Sequence, residues 1–240
     1  MSSLYHAIIF NPLYNILIFL FTIFPWADAG IAVILLTILV RLILYPLSKK
    51  AVITQVRMQE INPRIKEINE RYKDNAEEKA KATLALYKET GVNPFSGILV
   101  LIIQLPIIWA LYRIFLQSGF PKIDFPLLYS FVHAPAVINP LFLGIDITQK
   151  SVILALLAAA TTFIQLKLAT AQNPTTSQGS FGDDLAQTMQ KQMKYFFPIL
   201  VFFISYKISG VIALYWLTSN IFTIGQEMVV RRKIEKLKAA

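Results

Sequence analysis

The chain has 240 residues, a net charge of +9 and no cysteine, which excludes disulfides, thiol catalysis and cysteine-based metal sites. Hydrophobic residues make up 55% and charged residues only 15%, with a mean hydropathy of +0.55, a membrane-protein composition outside the soluble norm. The basic residues are clustered: ten lie in 48–94, five in 231–238 and none before Arg41. By the positive-inside rule, 48–94 and 231–240 are expected in the cytoplasm. In 118–150, Lys122 and Lys150 are balanced by Asp124 and Asp146, so this loop is expected outside. The start shows no basic n-region with a small-x-small cleavage site, and there is no cysteine to lipidate, so neither a cleavable signal nor a lipid anchor is expected.

Residues 7–24 are apolar, with Asn11, Asn15 and Thr22 on one helical stripe and Pro12 suited to a first turn. They fit an interfacial helix on the outer face or a first spanning helix. The stretch 29–47, AGIAVILLTILVRLILYPL, is of spanning length and contains one arginine, Arg41. An arginine at membrane depth costs on the order of 2.5–3.5 kcal/mol or more, so it is expected to face protein or a hydrated cavity. Residues 49–94 are charged and non-spanning. Ile61, Ile65, Ile68 and Tyr72 follow i, i+4, i+7, i+11, Pro63 is expected to break this helix, and Asn75-Ala-Glu-Glu78 reads as a capping box. The second helix is expected to carry Ala80, Leu84 and Tyr87 as its apolar stripe and to end at Gly91. Seven acidic residues interleave with the ten basic ones of this hairpin, which argues for a solvated face and against direct nucleic-acid readout.

Further spans are expected at 95–117, 151–169, 195–208 and 211–229, with an outer loop at 118–150, a mobile polar cytoplasmic loop at 170–194 and a basic tail at 230–240. The architecture is therefore an all-α membrane protein: an N-terminal segment 1–28, a first span 29–48, the cytoplasmic hairpin 49–94 and four more spans. The two histidines, His6 and His133, are far apart in apolar surroundings, so no metal or cofactor is expected.

At 1.5 Å of rise per residue, Arg41 lies roughly 12 Å above the cytoplasmic edge, Gln104 roughly 14 Å and Asn220 about 16 Å. Thr37, Arg41, Tyr45 and Ser48 form one stripe. Trp216, Asn220, Thr223 and Glu227 form another, with Ser219 and Gln226 beside it, and Gln104 belongs to a third. Three polar stripes at similar depth, beneath an apolar outer half, imply a hydrated groove open to the cytoplasm. Glu227 is the one intramembrane acid near enough to be a private counter-ion for Arg41. Otherwise the natural partner of Arg41 is an acid on a visiting molecule.

GIAVILLTILVRLILYPLSKKA, MQEINPRIKEINERYKDN, LYKETGVNPFSGILVLIIQLPIIWALYR, LFLGIDIT, TTFIQLKLA and ALYWLTSNIFTIGQ occur in this order. Together they resemble the YidC family of membrane protein insertases, which includes the mitochondrial Oxa and chloroplast Alb proteins. The resemblance covers about Phe10 to Arg232. It implies five core transmembrane helices, a cytoplasmic helical hairpin and an amphipathic N-terminal helix on the outer face, which favours the interfacial reading of 7–24. It places the family's groove arginine on Arg41, its polar second-span residue on Gln104 and its last-span groove positions on Trp216, Ser219 and Asn220. Thr37 and Thr223 join the groove by their stripes. The form expected is one without the large outer domain of some relatives, and with a tail too short for strong ribosome docking.

The resemblance implies a multi-pass protein of the bacterial inner membrane, N-terminus outside and C-terminus inside. Its partners would be nascent membrane proteins, the bilayer, and the ribosome, signal recognition machinery or Sec translocon. The activity implied is non-enzymatic: insertion and chaperoning of nascent membrane proteins. A small-solute or ion transporter is the alternative, but it needs a polar path through the outer half and an internal inverted repeat, and neither is visible. An intramembrane enzyme has no Ser/His, paired Asp or HExxH arrangement to work with.

Overall fold

The computed structural model describes residues 3–93, 96–117, 120–170 and 181–239. A short helix α1 (Ser3–Tyr5) leads through a π-helical turn, His6–Phe10, into α2 (Asn11–Ile23), whose first turn contains Pro12. Tyr14, Asn15 and Thr22 of α2 all bond to one partner segment. Tyr14 Oη accepts from Asp124 N at 2.7 Å, and Asn15 Oδ1 accepts from Tyr129 N at 2.7 Å. Asn15 Nδ2 donates to Leu127 O at 2.9 Å, and Thr22 Oγ1 donates to His133 O at 2.9 Å. The segment 124–133 therefore runs along α2 rather than meeting it at one end.

Asp28 caps α3 (Ala29–Ile43), its carboxylate accepting from Ile31 N at 2.9 Å. At Leu44 the chain bends by 63° into α4 (Tyr45–Arg71). The expected first span, 29–48, is thus divided. Pro46 cannot donate to the Leu42 carbonyl, so the helix changes direction before the first lysines are reached.

Pro63, expected to break α4, lies inside it. An interior proline costs about 3 kcal/mol. Here Met58 and Ile61 before it, and Ile65 and Ile68 after it, pack against α5 (Ala76–Thr90), and this burial on both sides of the proline keeps the helix continuous. Asn75 caps α5, accepting from Glu78 N at 3.1 Å, and Gly91 ends it at φ 63°, a left-handed position that favours glycine.

The buried face of α5 is rotated from the expected one: Leu84 is 59% exposed and Ala80 is exposed, whereas Leu86 is 3% exposed and packs with Ile61 and Val92. That face can include threonines because Thr83 and Thr90 donate to the Lys79 and Leu86 carbonyls of their own helix. At the surface of the pair, Arg64 donates twice to Glu89, both bonds at 3.0 Å.

α6 (Ser96–Tyr112) runs through Pro106 and ends in a π-helical turn, Arg113–Gln117. After a 3-10 turn at Phe125–Leu127, β1 (Leu141–Phe142) pairs antiparallel with β2 (Ile145–Asp146) in the register Leu141↔Asp146 and Phe142↔Ile145. This small hairpin and its flanks hold the starts of two long helices. Ala29 N donates to Asn139 O at 2.8 Å, Gly210 N to Gln149 O at 2.7 Å and Val211 N to Ile147 O at 2.8 Å. Gly30 accepts the Phe142 side chain so closely that a Cβ there would lie 2.3 Å from the ring.

α7 (Val152–Thr170) is followed by α8 (Phe181–Ile208) and, after Ser209, by α9 (Gly210–Ala239). Much of the expected polar loop 170–194 is therefore helical. Residues 171–180 of that loop lie outside the described residues, but Phe181 already belongs to α8. Asp183 and Asp184 suit the first turn of a helix, and the run from Leu185 to Lys194 consists mostly of good helix formers.

One apolar core joins α2, α3, α6, α7, α8 and α9 around Leu17, Ile18, Val33, Leu36, Leu111, Ile114, Val201, Ile212 and Tyr215. By length and hydropathy alone, among the described residues, His6–Ile23 is long and apolar enough to cross a membrane. The bent pair α3 and α4 also qualifies when taken as one span, and Val152–Leu168 is a shorter apolar helix.

Three predictions follow from this packing. Gly30→Ala should destabilise the protein by about 1–3 kcal/mol through overpacking against Phe142. Gly225→Ala, where the added Cβ meets nothing within 4 Å, should be neutral or slightly stabilising; thermal unfolding in detergent reads both. Leu86→Ala should cost about 2 kcal/mol and raise hydrogen exchange across α4 and α5, while Leu84→Ala leaves exchange unchanged. Hydrogen bonds from Arg64, and its charge, hold the Glu89 carboxyl below its ordinary range. That contribution is present above the unfolded carboxylate pKa and is lost as pH falls through the lowered value, so exchange in the hairpin should rise in acid and Glu89→Gln should abolish the dependence on this pair.

Candidate functional site

Arg41 lies on α3 at the face turned toward α9. Its Nε donates to Ser219 Oγ at 2.8 Å and its Nη2 donates to the same oxygen, while Nη1 has no hydrogen-bond partner among the described residues. No carboxylate of the described residues lies within ion-pair distance of Arg41. Glu227, the acid the sequence offers as a competitor, is taken. Arg231, one turn along α9, donates to Glu227 Oε1 from Nε at 2.9 Å and from Nη2 at 2.7 Å, in an environment where Glu227 is 5% exposed.

The polar contacts of Arg41 continue into α6. Tyr215, one turn before Ser219 on α9, is buried at 2% exposure with its hydroxyl beside Arg41 and Ser219. Gln104 Nε2 donates to that hydroxyl. Arg41, Ser219, Tyr215 and Gln104 therefore form one polar cluster from three helices. Below it, Gln226 Nε2 donates to Ser48 Oγ at 2.7 Å, and Arg231 Nη1 reaches Gln59 Oε1 at 3.4 Å. The pairs Arg41–Ser219 and Ser48–Gln226 are each 178 residues apart, so α3 with the start of α4 runs parallel to α9, in step over two turns.

The other sequence-derived candidates take different places. Asn220 is 4% exposed and turns toward α7, where its Nδ2 lies 2.7 Å from Thr162 Oγ1, 3.1 Å from Thr161 Oγ1 and 3.3 Å from Ala158 O. It fastens α9 to α7, away from Arg41. Thr37 is buried and donates to Val33 O at 2.6 Å, and Thr223 donates to Ser219 O at 2.8 Å, so both hydroxyls are satisfied within their own helices. Trp216 is partly buried against the apolar core.

The stripe on α9 that faces α3 and α4 is consequently Tyr215, Ser219, Phe222 and Gln226, one residue round from Trp216, Asn220, Thr223 and Glu227. Sequence reasoning passed over Tyr215 because a tyrosine in an apolar run reads as core. Its i, i+4 relation to Ser219 is the signal that could have found it.

This arrangement can bind an acid. A guanidinium anchored through Nε and Nη2 still presents Nη1 for a carboxylate or carbonyl, and charge-assisted hydrogen bonds are the stronger kind.

Comparison with known proteins agrees with the family suggested by the motifs. A family model described as 60Kd inner membrane protein matches residues 19–237. The membrane protein insertase YidC of Francisella tularensis subsp. novicida (strain U112) is 33% identical over 203 residues, covering 85% of this chain and 32% of the relative. The same figures hold for the YidC proteins of F. tularensis subsp. tularensis (strain WY96-3418) and subsp. holarctica (strain LVS). This chain spans about a third of the length of the curated relatives it matches. With helices throughout and a match over nearly its whole length, the chain belongs to the 60Kd inner membrane protein family, the YidC/Oxa group of its sequence resemblance.

Proposed function

We propose that this chain is a non-enzymatic membrane protein insertase and chaperone, in which Arg41 receives the polar or acidic end of an incoming segment. The observation that carries this reading is the state of Arg41. It is a cation within an apolar helix, held in place by the neutral Ser219 hydroxyl, with Glu227 committed to Arg231. A fixed cation that has, among the described residues, no partner for its Nη1 and no acid beside it is suited to an acid that arrives and leaves.

The Tyr215–Gln104 pair extends the polar cluster upward from Arg41, and the Ser48–Gln226 pair extends it toward the cytoplasm. Together they support a one-sided groove among the expected spans 29–48, 95–117 and 211–229. A bound acidic tail would then have a shorter apolar path to cross, and the membrane potential would assist it by ~2.3 kcal/mol per charge per 100 mV. Substrates are nascent membrane proteins. The charged hairpin 49–94 is the natural landing point for them or for a ribosome, signal recognition machinery or Sec translocon that delivers them.

The parallel run of α3 and α9 supports an arrangement in which both cross from outside to inside, with the N-terminus outside and the basic tail in the cytoplasm of a bacterial inner membrane. Contact of α2 with segment 124–133 along its length supports the interfacial placement of residues 7–24, because a spanning helix would meet an outer loop only at its outer end.

Arg41→Ala should lower insertion of substrates with acidic translocated tails by about tenfold or more, given the ~1.5–3 kcal/mol of a hydrogen bond to a charged group. Arg41→Lys should retain most of it, and substrates with neutral tails should be affected least. Insertion into inverted vesicles, read by protease protection, makes the comparison; equal insertion by wild type and Arg41→Ala across the panel overturns the role of the charge. Ser219→Ala removes the acceptor that positions the guanidinium and should produce a smaller loss in the same substrates, together with a lower unfolding temperature in detergent.

A further inference from the structure

A second basic site lies at the opposite end of the molecule. Arg113 begins the π-helical turn at the end of α6. Its Nη1 is 2.9 Å from His6 Nε2, and its guanidinium sits over the Phe10 ring at 5.1 Å. Tyr5 packs edge-on against His6 and lies within electrostatic reach of Arg113, yet its hydroxyl is enclosed without a hydrogen-bond partner among the described residues. His6 Nε2 accepts from Arg113, and the guanidinium is thereby held where the N-terminal turn meets α6.

Directly alongside, Tyr5, Leu105, Pro106, Ile108 and Trp109 line an almost wholly apolar groove of about 460 Å³, within the ~300–1,000 Å³ range of small-molecule sites. Pro106 presents a short ring between longer neighbours, which forms the notch. Trp109 stacks on Tyr112 at 5.3 Å, an aromatic pair of the kind that settles at headgroup level. Trp109 and Arg113 are one helical turn apart, so the apolar groove ends at the cation.

We propose that this groove and Arg113 form a binding site for an anionic phospholipid of the outer leaflet, with one acyl chain in the groove and the phosphate on the Arg113 guanidinium. The occupant is identified by complementarity at both ends. A hydrocarbon chain matches the apolar lining, and a phosphodiester matches the guanidinium at its end. Neither a soluble anion nor a neutral lipid satisfies both ends. Such a lipid would join the N-terminal helix to α6. The inference rests on the membrane placement of α6 proposed above, but not on the role of Arg41.

The test uses the purified full chain in nanodiscs of phosphatidylcholine containing a minor fraction of phosphatidylglycerol, with bound lipid read by native mass spectrometry. Wild type should retain phosphatidylglycerol selectively. Arg113→Gln should retain about fivefold less or lower, Arg113→Lys an intermediate amount, and Leu105→Trp, which fills the groove while leaving the cation, should also lose it. Lys207→Gln, a change at an exposed basic residue elsewhere, should retain the wild-type amount. Retention unchanged in Arg113→Gln, or reduced equally in Lys207→Gln, overturns the proposal. Displacement of the lipid by soluble glycerol phosphate also overturns it, since that marks a free-phosphate site. Helical circular dichroism of each variant separates loss of the lipid from loss of the fold, with Arg113→Lys as the variant most conservative of the fold. An Arg41-dependent insertion assay run in parallel can fail while lipid retention holds, and the reverse.

Discussion

The hydrogen bond between Arg41 and Ser219 is the constraint to which the rest of the structure conforms. A guanidinium on an apolar helix is costly without a partner, and here the partner comes from another helix. Serine on α9 supplies a hydroxyl short enough to let α3 approach closely, and the guanidinium uses Nε and Nη2 on that single oxygen. The two helices are then fixed both in rotation and in height. Once Arg41 faces Ser219, Ser48 faces Gln226 two turns below, because both chains advance seven residues between the contacts.

Both ends of this parallel pair are secured by groups outside the membrane-depth cluster. At one end the segment 139–149 accepts the first backbone N–H groups of α3 and α9, which would otherwise be left without acceptors. At the other, the buried Glu227–Arg231 pair and its contact with Gln59 bind the end of α9 to α4. By pairing with Arg231, Glu227 is also withdrawn from Arg41, which has no acid within ion-pair distance among the described residues. Asn220 braces the same helix against α7 from the opposite side. Arg41 is thus held by neutral groups, while Glu227 and Arg231 pair with each other one turn apart on α9.

The hairpin of α4 and α5 is built more lightly. Its own core consists of Ile61, Leu86 and Val92 with partly buried neighbours, and its surface pair Arg64–Glu89 is exposed. A unit with so few buried apolar side chains can open at modest cost while the membrane core stays closed. The 63° bend at Leu44 turns this lighter unit away from the axis of α3, while Ser48 at the start of α4 remains tied to Gln226.

The sequence by itself determined the membrane character, the helical class, the two charged segments and the anomaly of Arg41, because these follow from local composition and from the energetic cost of charge in hydrocarbon. It also marked the caps Asn75 and Gly91, whose signals are confined to a few adjacent residues. Only the tertiary structure decided which side of a helix faces which neighbour. On α9 two adjacent stripes are both polar, and a rotation of one residue separates Ser219 and Gln226, which face α3 and α4, from Asn220, which faces α7. On α5 the buried leucine is Leu86, two residues on from the expected Leu84. Pro63 stayed helical because packing on either side outweighed a local penalty, and Tyr215 became polar in effect because Gln104 and Arg41 came from helices far away in the chain. Periodicity carries the existence of a face, but the partner that selects it is a long-range contact, and that information enters only when the chain folds.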